Sequence, residues 1–88
     1  MSNEENPPYY EIYYLENCFY SEKALNYLKN YGIPYKIINV KQIDKQKYKN
    51  FLKKETFPQI YYNGSDNKCY SIGGCGDLEN LIKNMINR

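Results

Sequence analysis

The chain has 88 residues with twelve basic and ten acidic side chains, which is room for one domain, and no apolar run in it is long enough to span a membrane. It contains no histidine, which excludes a Ser-His-Asp triad, a Cys-His dyad and every histidine-ligated metal site. Its three cysteines, Cys18, Cys69 and Cys75, fit neither a disulfide framework nor a zinc site with paired ligands. This composition leaves open either thiol chemistry or no chemistry at all.

The first part of the chain reads as a polar segment followed by a strand and a helix. Residues 1–8 are polar and acidic and end in Pro-Pro, so we expect a disordered tail that is not a secretion signal, and a cytoplasmic protein, in the host cytoplasm if its source is a virus. The β-forming residues of Tyr10–Leu15 predict a strand. Apolar residues at helical spacing predict a helix over Phe19–Tyr31, which Gly32 and Pro34 would end.

The rest of the chain predicts a second strand, a second helix, a hairpin and a last helix. The nearly continuous apolar run of Tyr35–Val40 predicts a strand buried on both faces, and Asp44–Lys54 predicts a helix with Tyr48, Phe51 and Leu52 on one side. The remaining elements are the hairpin strands Gln59–Tyr62 and Cys69–Ile72 and an amphipathic helix over Asp77–Asn87. The order β-α-β-α-β-β-α indicates an α/β domain with a four-stranded mixed sheet and three helices.

Cys18 directly follows the first predicted strand and begins the first predicted helix. Unpaired backbone N–H groups and the positive end of the helix dipole meet at such a position, and they favour the thiolate, which is the nucleophilic form. A capping position is the alternative interpretation, because small polar residues are common at helix starts. The C-x-x-S spacing places the hydroxyl of Ser21 one turn further along, facing the sulfur.

Two later segments indicate a binding cleft. Residues 56–58, Thr-Phe-Pro, immediately precede the third strand, which predicts a turn proline, with a cis bond as one form of it. The main chain of Phe57 could then pair with an extended peptide as an added strand does. Residues 73–77, Gly-Gly-Cys-Gly-Asp, open the last helix, and the free N–H groups of such a start can bind a carboxylate.

Taken together, these features resemble the glutaredoxins, a family within the thioredoxin fold, over nearly the whole chain past the tail. The motifs that carry the resemblance are strand-Cys18-x-x-Ser21-helix, Thr56-x-Pro58 and Gly73-Gly74-Cys75-x-Asp77-Leu78. The resemblance implies a thioredoxin-like domain over residues 9–88 and a glutathione-dependent thiol–disulfide oxidoreductase. Glutathione would be its co-substrate, and glutathionylated or disulfide-bearing proteins would be its partners.

The resemblance also implies roles for individual residues. Cys18 matches the nucleophilic cysteine, which forms and resolves mixed disulfides with glutathione. Tyr20 matches the aromatic residue beside the glutathione sulfur, and Phe57 matches the residue whose main chain pairs with the cysteine of the tripeptide. The motif neighbours of the nucleophile are Phe19, Tyr20 and Ser21, and the implied glutathione-binding residues are Tyr20, Thr56, Phe57, the cis-proline Pro58 and, for the γ-glutamyl end, Gly74, Cys75 and Asp77.

Several positions depart from the family pattern. Ser21 stands where most members have a second cysteine, which removes the dithiol route and leaves a monothiol route, in which a second glutathione regenerates Cys18. The other departures are Leu15 and Glu55, in place of basic residues that hold the glycine carboxylate of glutathione, and Gly76, in place of an acidic residue. Losing a charged contact costs about 1.5–3 kcal/mol of binding, so we expect weaker glutathione binding unless a lysine at position 53 or 54 substitutes.

Other functions of the same cleft stay open at this point. A monothiol member can bridge a [2Fe–2S] cluster between two chains, each supplying Cys18 and one glutathione, although Phe19 is bulkier than the glycine typical of cluster carriers. A redox-silent adaptor could use the cleft to bind a protein strand. We expect a monomer, or a dimer when a cluster is bound.

The other two cysteines have simpler explanations. Cys75 fits either a thiol that helps to resolve disulfides or, as we expect, a small residue packing at a helix start. Cys69 fits an ordinary strand residue.

Seven lysines between residues 36 and 54 are interleaved with Tyr48 and Phe51. Lysines and aromatic rings together can bind nucleic acid, but a solvated helix face with its apolar side in the core produces the same pattern, and we expect the latter. The sequence therefore predicts neither a nucleic-acid partner nor a membrane partner.

Overall fold

The structure is a computed structural model that describes residues 7–86. The predicted tail lies outside the described residues except for Pro7 and Pro8, and so does Asn87 of the last predicted helix. The elements in chain order are β1 Tyr9–Leu15, α1 Phe19–Asn30, β2 Tyr35–Val40, α2 Lys45–Leu52 after a short 3₁₀ turn at Gln42–Asp44, β3 Gln59–Asn63, β4 Cys69–Gly73 and α3 Cys75–Ile86. The predicted order β-α-β-α-β-β-α is confirmed.

The four strands form one mixed sheet in the order β2-β1-β3-β4. β1 runs parallel to β2, with Leu15 opposite Val40, and antiparallel to β3, with Ile12 opposite Ile60. β3 and β4 form the antiparallel hairpin that the sequence predicted, with a register shift between Ile60 and Tyr61. The thioredoxin-like arrangement therefore has a parallel βαβ unit followed by a hairpin.

The core lies between the sheet and the two helices α1 and α3. Ile12 of β1, Leu28 of α1, Ile60 of β3 and Leu78 of α3 are all fully buried there. Each such aliphatic side chain contributes about 1.5–3 kcal/mol by leaving water. The apolar stripes of both helices, at spacings of three and four residues, are what bring them onto this face.

The two core helices are also joined at the surface. The Tyr27 hydroxyl of α1 donates a hydrogen bond to Glu79 Oε2 of α3 at 2.7 Å. This bond and, to a smaller extent, burial and the negative charge of Glu79 raise the pKa of Tyr27 to about 12. Because the carboxylate accepts this bond, and a second from Lys83, the pKa of Glu79 is lowered.

The sequence was wrong about the burial of β2. Its apolar run predicted burial on both faces, but β2 is an edge strand of the sheet. Val40 is buried, whereas Ile37 is 38% exposed. An apolar run predicts that a strand pairs and packs well. Whether that strand lies at the centre or at the edge of the sheet is decided by the other strands.

The second helix also differs from the prediction. α2 begins at Lys45, directly after the 3₁₀ turn and one residue later than predicted, and ends at Leu52, because Lys53 takes the left-handed conformation with φ +57°. No residue of α2 is buried. Phe51, predicted to face the core, is 70% exposed, and the ring of Tyr48 lies 6.0 Å from the ring of Tyr13 in β1. This helix covers the second face of the sheet only loosely.

Helix α3 begins two residues earlier than predicted, at Cys75, and its end at Ile86 is the last described residue. α1 ends at Asn30, with Gly32 at φ +63° donating to the Lys29 carbonyl and Ile33 donating to the Leu28 carbonyl. The predicted glycine stop is therefore confirmed. Within the described residues no helix is long and apolar enough to cross a membrane.

Candidate active site

Cys18 occupies the position that immediately precedes α1. Its backbone is extended, with φ -117° and ψ 119°, and its carbonyl oxygen accepts the first helical hydrogen bond from the Glu22 N–H at 3.1 Å. The side chain makes no cap hydrogen bond, so the sulfur does not take the role of a capping oxygen. The thiol is free and half-buried, and it stands where the unpaired N–H groups of the first turn converge.

The loop that delivers Cys18 is short and held at both ends. Asn17 has φ +56°, a left-handed conformation that asparagine tolerates better than most residues, and the Glu16 N–H donates to the Val40 carbonyl at 2.9 Å. Sequence reasoning missed Asn17, although an asparagine between a strand and a helix is a recognisable turn signal. The loop turns β1 sharply into α1 with Cys18 at the corner.

Ser21 is fully buried in the first turn of α1. Its Oγ accepts a hydrogen bond from the Leu15 N–H at 3.1 Å. The sequence predicted a hydroxyl facing the sulfur, and the bond that the structure shows runs instead to the end of β1. Ser21 therefore fastens the first turn of α1 to the strand before it, and so fixes the loop that carries Cys18.

Two exposed aromatic side chains directly follow Cys18 in the chain. Phe19 and Tyr20 are both exposed, and their ring centroids lie 5.2 Å apart in an edge-to-face arrangement. An exposed aromatic pair next to a free thiol offers apolar surface to an incoming substrate. The position of Tyr20 is the one that the family resemblance assigned beside the glutathione sulfur.

The loop before β3 has the conformation that the sequence suggested. The Phe57–Pro58 peptide bond is cis, Pro58 is buried and Phe57 is half-buried, while Thr56 is exposed. The carboxamide Nε2 of Gln59 donates to the Thr56 carbonyl at 2.9 Å and to Thr56 Oγ1 at 3.2 Å. Sequence reasoning missed Gln59, and the available signal was a polar residue opening an otherwise apolar strand.

The start of α3 is built around Asp77. Gly74 precedes the helix, its carbonyl accepts from the Leu78 N–H at 3.1 Å, and its own N–H donates to Asp77 Oδ2 at 2.9 Å. This is the carboxylate half of a capping box. Gly73 has φ +115°, and a Cβ there would collide with the Asp77 carboxylate. Asp77, one of the residues predicted to bind the γ-glutamyl end of glutathione, therefore also fixes the conformation of the helix start at which that end would bind.

The proline loop and the start of α3 lie side by side. A Cβ built on Gly74 would stand 3.6 Å from the Pro58 carbonyl oxygen. The structure therefore brings together two of the three predicted binding segments, which are 15 or more residues apart in the sequence. The start of α3 adjoins the sheet face on which α1 and α3 pack, because Cys75 belongs to the core there.

Cys75 belongs to the hydrophobic core cluster and is 6% exposed. Burial raises the pKa of the Cys75 thiol; the Lys23 ammonium opposes that shift, and the negative charges of Glu79 and Cys18 add to it. Burial and a raised pKa both favour the small packing residue over the disulfide-resolving thiol.

The two positions that depart from the expected basic residues, 15 and 55, supply no cation to the site. Leu15 is buried and Glu55 is exposed. Lys53 and Lys54 lie just before the proline loop; Lys53 is exposed, and Lys54 is half-buried with its N–H donating to the Lys49 carbonyl. These two lysines are the nearest candidates along the chain for binding a carboxylate.

Metal ligands are sparse in this arrangement. Among residues 7–86 no group of three or more histidine, cysteine, aspartate or glutamate side chains is placed to hold a metal ion. Cys69 lies exposed on β4, and the three cysteines are all free. A [2Fe–2S] cluster at Cys18 would therefore need thiolates from outside this chain.

Comparison with solved structures identifies the fold class. The crystal structure of glutaredoxin 1 from Francisella tularensis, complexed with cacodylate, matches with a TM-score of 0.73 at 19% sequence identity, over 92% of this chain and 99% of that chain. The fold is thioredoxin-like. In this fold the free thiol of Cys18 stands at the start of the first helix.

Sequence comparison identifies the family within that class. The glutaredoxin family model matches residues 10–66. Glutaredoxin 1 of Rickettsia prowazekii (strain Madrid E) is 34% identical over an alignment of 76 residues, and the match covers 82% of this chain and 75% of that protein. The chain belongs to the glutaredoxin family. Cys18 and the proline loop lie inside the matched segment, and the start of α3 lies beyond it.

Proposed function

We propose that this protein is a glutathione-dependent thiol–disulfide oxidoreductase that works by a monothiol mechanism through Cys18. The observation that carries the proposal is the free, half-buried thiol at the start of α1, with a fully buried serine at the position of the second cysteine. Its partners are glutathionylated or disulfide-bearing proteins, and its compartment is the cytoplasm.

The reaction proceeds by two thiol–disulfide exchanges. The Cys18 thiolate attacks the glutathione sulfur of a glutathionylated protein, and the protein thiolate leaves and takes a proton. A second glutathione, as its thiolate, attacks the glutathione sulfur on Cys18, which releases oxidised glutathione and the Cys18 thiolate. The start of α1 stabilises negative charge on Cys18 both as attacker and as leaving group.

Glutathione binding is assigned to the proline loop and to the start of α3. The main chain of Phe57 pairs with the cysteine of the tripeptide, and the N–H groups at the start of α3 bind the γ-glutamyl carboxylate. Asp77 supports that second contact by holding the Gly74 N–H. Because Leu15 and Glu55 offer no cation to the glycine carboxylate, affinity depends on Lys53 or Lys54 and is lower by about tenfold for each missing charged contact.

The experiment is intact-mass analysis after brief exposure to oxidised glutathione, followed by reduced glutathione. The wild type and Cys69→Ser, a matched exposed-thiol control, are expected to gain one glutathione and lose it on reduction. Cys18→Ser is expected to gain no glutathione during the same brief exposure. An adduct that persists unchanged in Cys18→Ser would place the chemistry elsewhere and contradict the proposal.

A further inference from the structure

Gln59 opens β3 directly after Pro58 and is 4% exposed. It is one of two buried polar residues among those described, the other being Ser21. In the sheet it lies opposite Tyr13 of β1. A carboxamide in such a position has to be hydrogen-bonded, because an unpaired buried polar group is unfavourable.

The carboxamide of Gln59 is committed to one residue. Nε2 donates to the Thr56 carbonyl at 2.9 Å and to Thr56 Oγ1 at 3.2 Å, so the side chain closes a ring around Phe57 and Pro58. The opposite orientation of the amide would set Oε1 against the carbonyl oxygen, which only accepts. The donor end therefore has to face Thr56.

The acceptor end has no such partner. Gln59 Oε1 is buried and makes no hydrogen bond with any described residue. The structure leaves one polar atom unsatisfied while the amide nitrogen of the same group makes both of its hydrogen bonds to Thr56. Groups of this kind are few in native structures and are found where a local geometry is being enforced.

The proline loop has little else to hold it. The Lys54 N–H donates to the Lys49 carbonyl at the end of α2, and β3 begins only at Gln59. Within the described part of the chain, no hydrogen bond joins a main-chain group of residues 55–58 to another main-chain group. The fork from Gln59 is thus the polar tether of this loop.

The hydrogen bonds from Gln59 fix the peptide unit that contains the Phe57 N–H, the group proposed to pair with glutathione. The Thr56 carbonyl and the Phe57 N–H belong to the same planar peptide unit and point in opposite directions. Fixing the carbonyl against Gln59 therefore fixes the direction in which the Phe57 N–H points. A loop held in this way presents that N–H to a ligand without having to be ordered on binding.

We propose that Gln59 is a positioning residue, which orients the Phe57 N–H for main-chain pairing with glutathione. The inference rests on the proposed function and deepens it, since it assigns the affinity for the tripeptide to a residue that does not touch it. Pairing with the main chain is made in the bound complex and in the transition state alike, so its loss raises KM and leaves kcat unchanged.

The test compares Gln59→Met, which keeps volume and removes both donors, with Asn63→Leu. Asn63 lies on the same strand and also has a buried unpaired amide atom, but it is four residues from Gln59 and remote from Thr56. Three quantities are measured: KM and kcat for a peptide carrying one glutathione, the rate of Cys18 alkylation by iodoacetamide, and the backbone order parameters of Thr56 and Phe57.

For Gln59→Met we expect KM to rise about three- to tenfold, with kcat and the alkylation rate unchanged and the order parameters of the loop lowered. Asn63→Leu should match the wild type in all three. The proposal is overturned if folded Gln59→Met keeps the wild-type KM and loop order, if it loses kcat and alkylation rate together, or if Asn63→Leu raises KM equally.

The two proposals can fail separately. A wild type that does not turn over the glutathionylated peptide refutes the proposed function, and the order parameters still report whether Gln59 holds the loop. A wild type that turns it over, with an unchanged loop and KM in Gln59→Met, refutes the positioning role alone. Thermal unfolding of both variants establishes that each is folded under the assay conditions.

Discussion

Ser21 provides a sharp test of how the site is held, because it is fully buried and makes one identified hydrogen bond. Ser21→Ala removes the acceptor of the Leu15 N–H and leaves that donor buried without a partner. Such a loss costs about 1–3 kcal/mol. For a domain of this size each kcal/mol lowers the midpoint of thermal unfolding by about 4–8 °C, so we expect Ser21→Ala to melt about 4–24 °C below the wild type.

The assay is thermal and urea unfolding followed by circular dichroism. Ser71→Ala serves as the matched control, since Ser71 is exposed on β4 and its change should fall within about 0.5 kcal/mol. Equal stabilities of Ser21→Ala and Ser71→Ala would refute the structural role. In that case the serine at the second motif position would have to be explained by the chemistry at Cys18 alone.

Three further outcomes follow from the structure. Gly73→Ala should destabilise the protein by at least about 1 kcal/mol more than Gly74→Ala, because Gly73 has φ +115° and no room beside the capping carboxylate, whereas Gly74 has ordinary space; urea unfolding that ranks them equally would contradict this. The pKa of Tyr27 is raised to about 12 by its hydrogen bond to a carboxylate of α3, so its contribution to stability is complete below pH 10 and disappears as pH rises through about 12. The difference in unfolding free energy between the wild type and Tyr27→Phe should shrink over that range, and a constant difference would be inconsistent with it. Cys75 should react with iodoacetamide more slowly than Cys69. Its reaction rate should keep rising with pH above the range in which an ordinary thiol ionises, since burial raises the pKa of the Cys75 thiol. Peptide mapping that finds equal rates for the two cysteines would count against the packing role of Cys75.

The periodic elements of the fold could be predicted from the sequence. The apolar stripe of α3 follows helical spacing and β1 follows from its β-forming residues, and each needs only a partner surface. The mixed sheet then follows from element order and the right-handed βαβ rule. The two errors, Ile37 in β2 and Phe51 in α2, concern which side of an element is covered, which is decided by neighbours distant in the sequence.

The motifs of the site could be predicted from the sequence, but the hydrogen bonds that hold them could not. Cys18, the proline loop and the start of α3 each carry a local signal of turn or helix start. The hydrogen bonds from Leu15 N–H to Ser21 and from Gln59 to Thr56 carry no such signal. They depend on how the loop between the two residues folds in three dimensions. The capping role of Asp77 was available from its spacing to Gly74, three residues as in a capping box.

The central claim, a monothiol reaction through Cys18, is tested most directly by turnover of a glutathionylated peptide with three single variants. The account predicts that Cys18→Ser is inactive, that Cys69→Ser and Cys75→Ser keep most of the wild-type kcat, and that mass analysis during turnover finds one glutathione on Cys18. Turnover that survives in Cys18→Ser, or that disappears in Cys75→Ser while the protein stays folded, would contradict it.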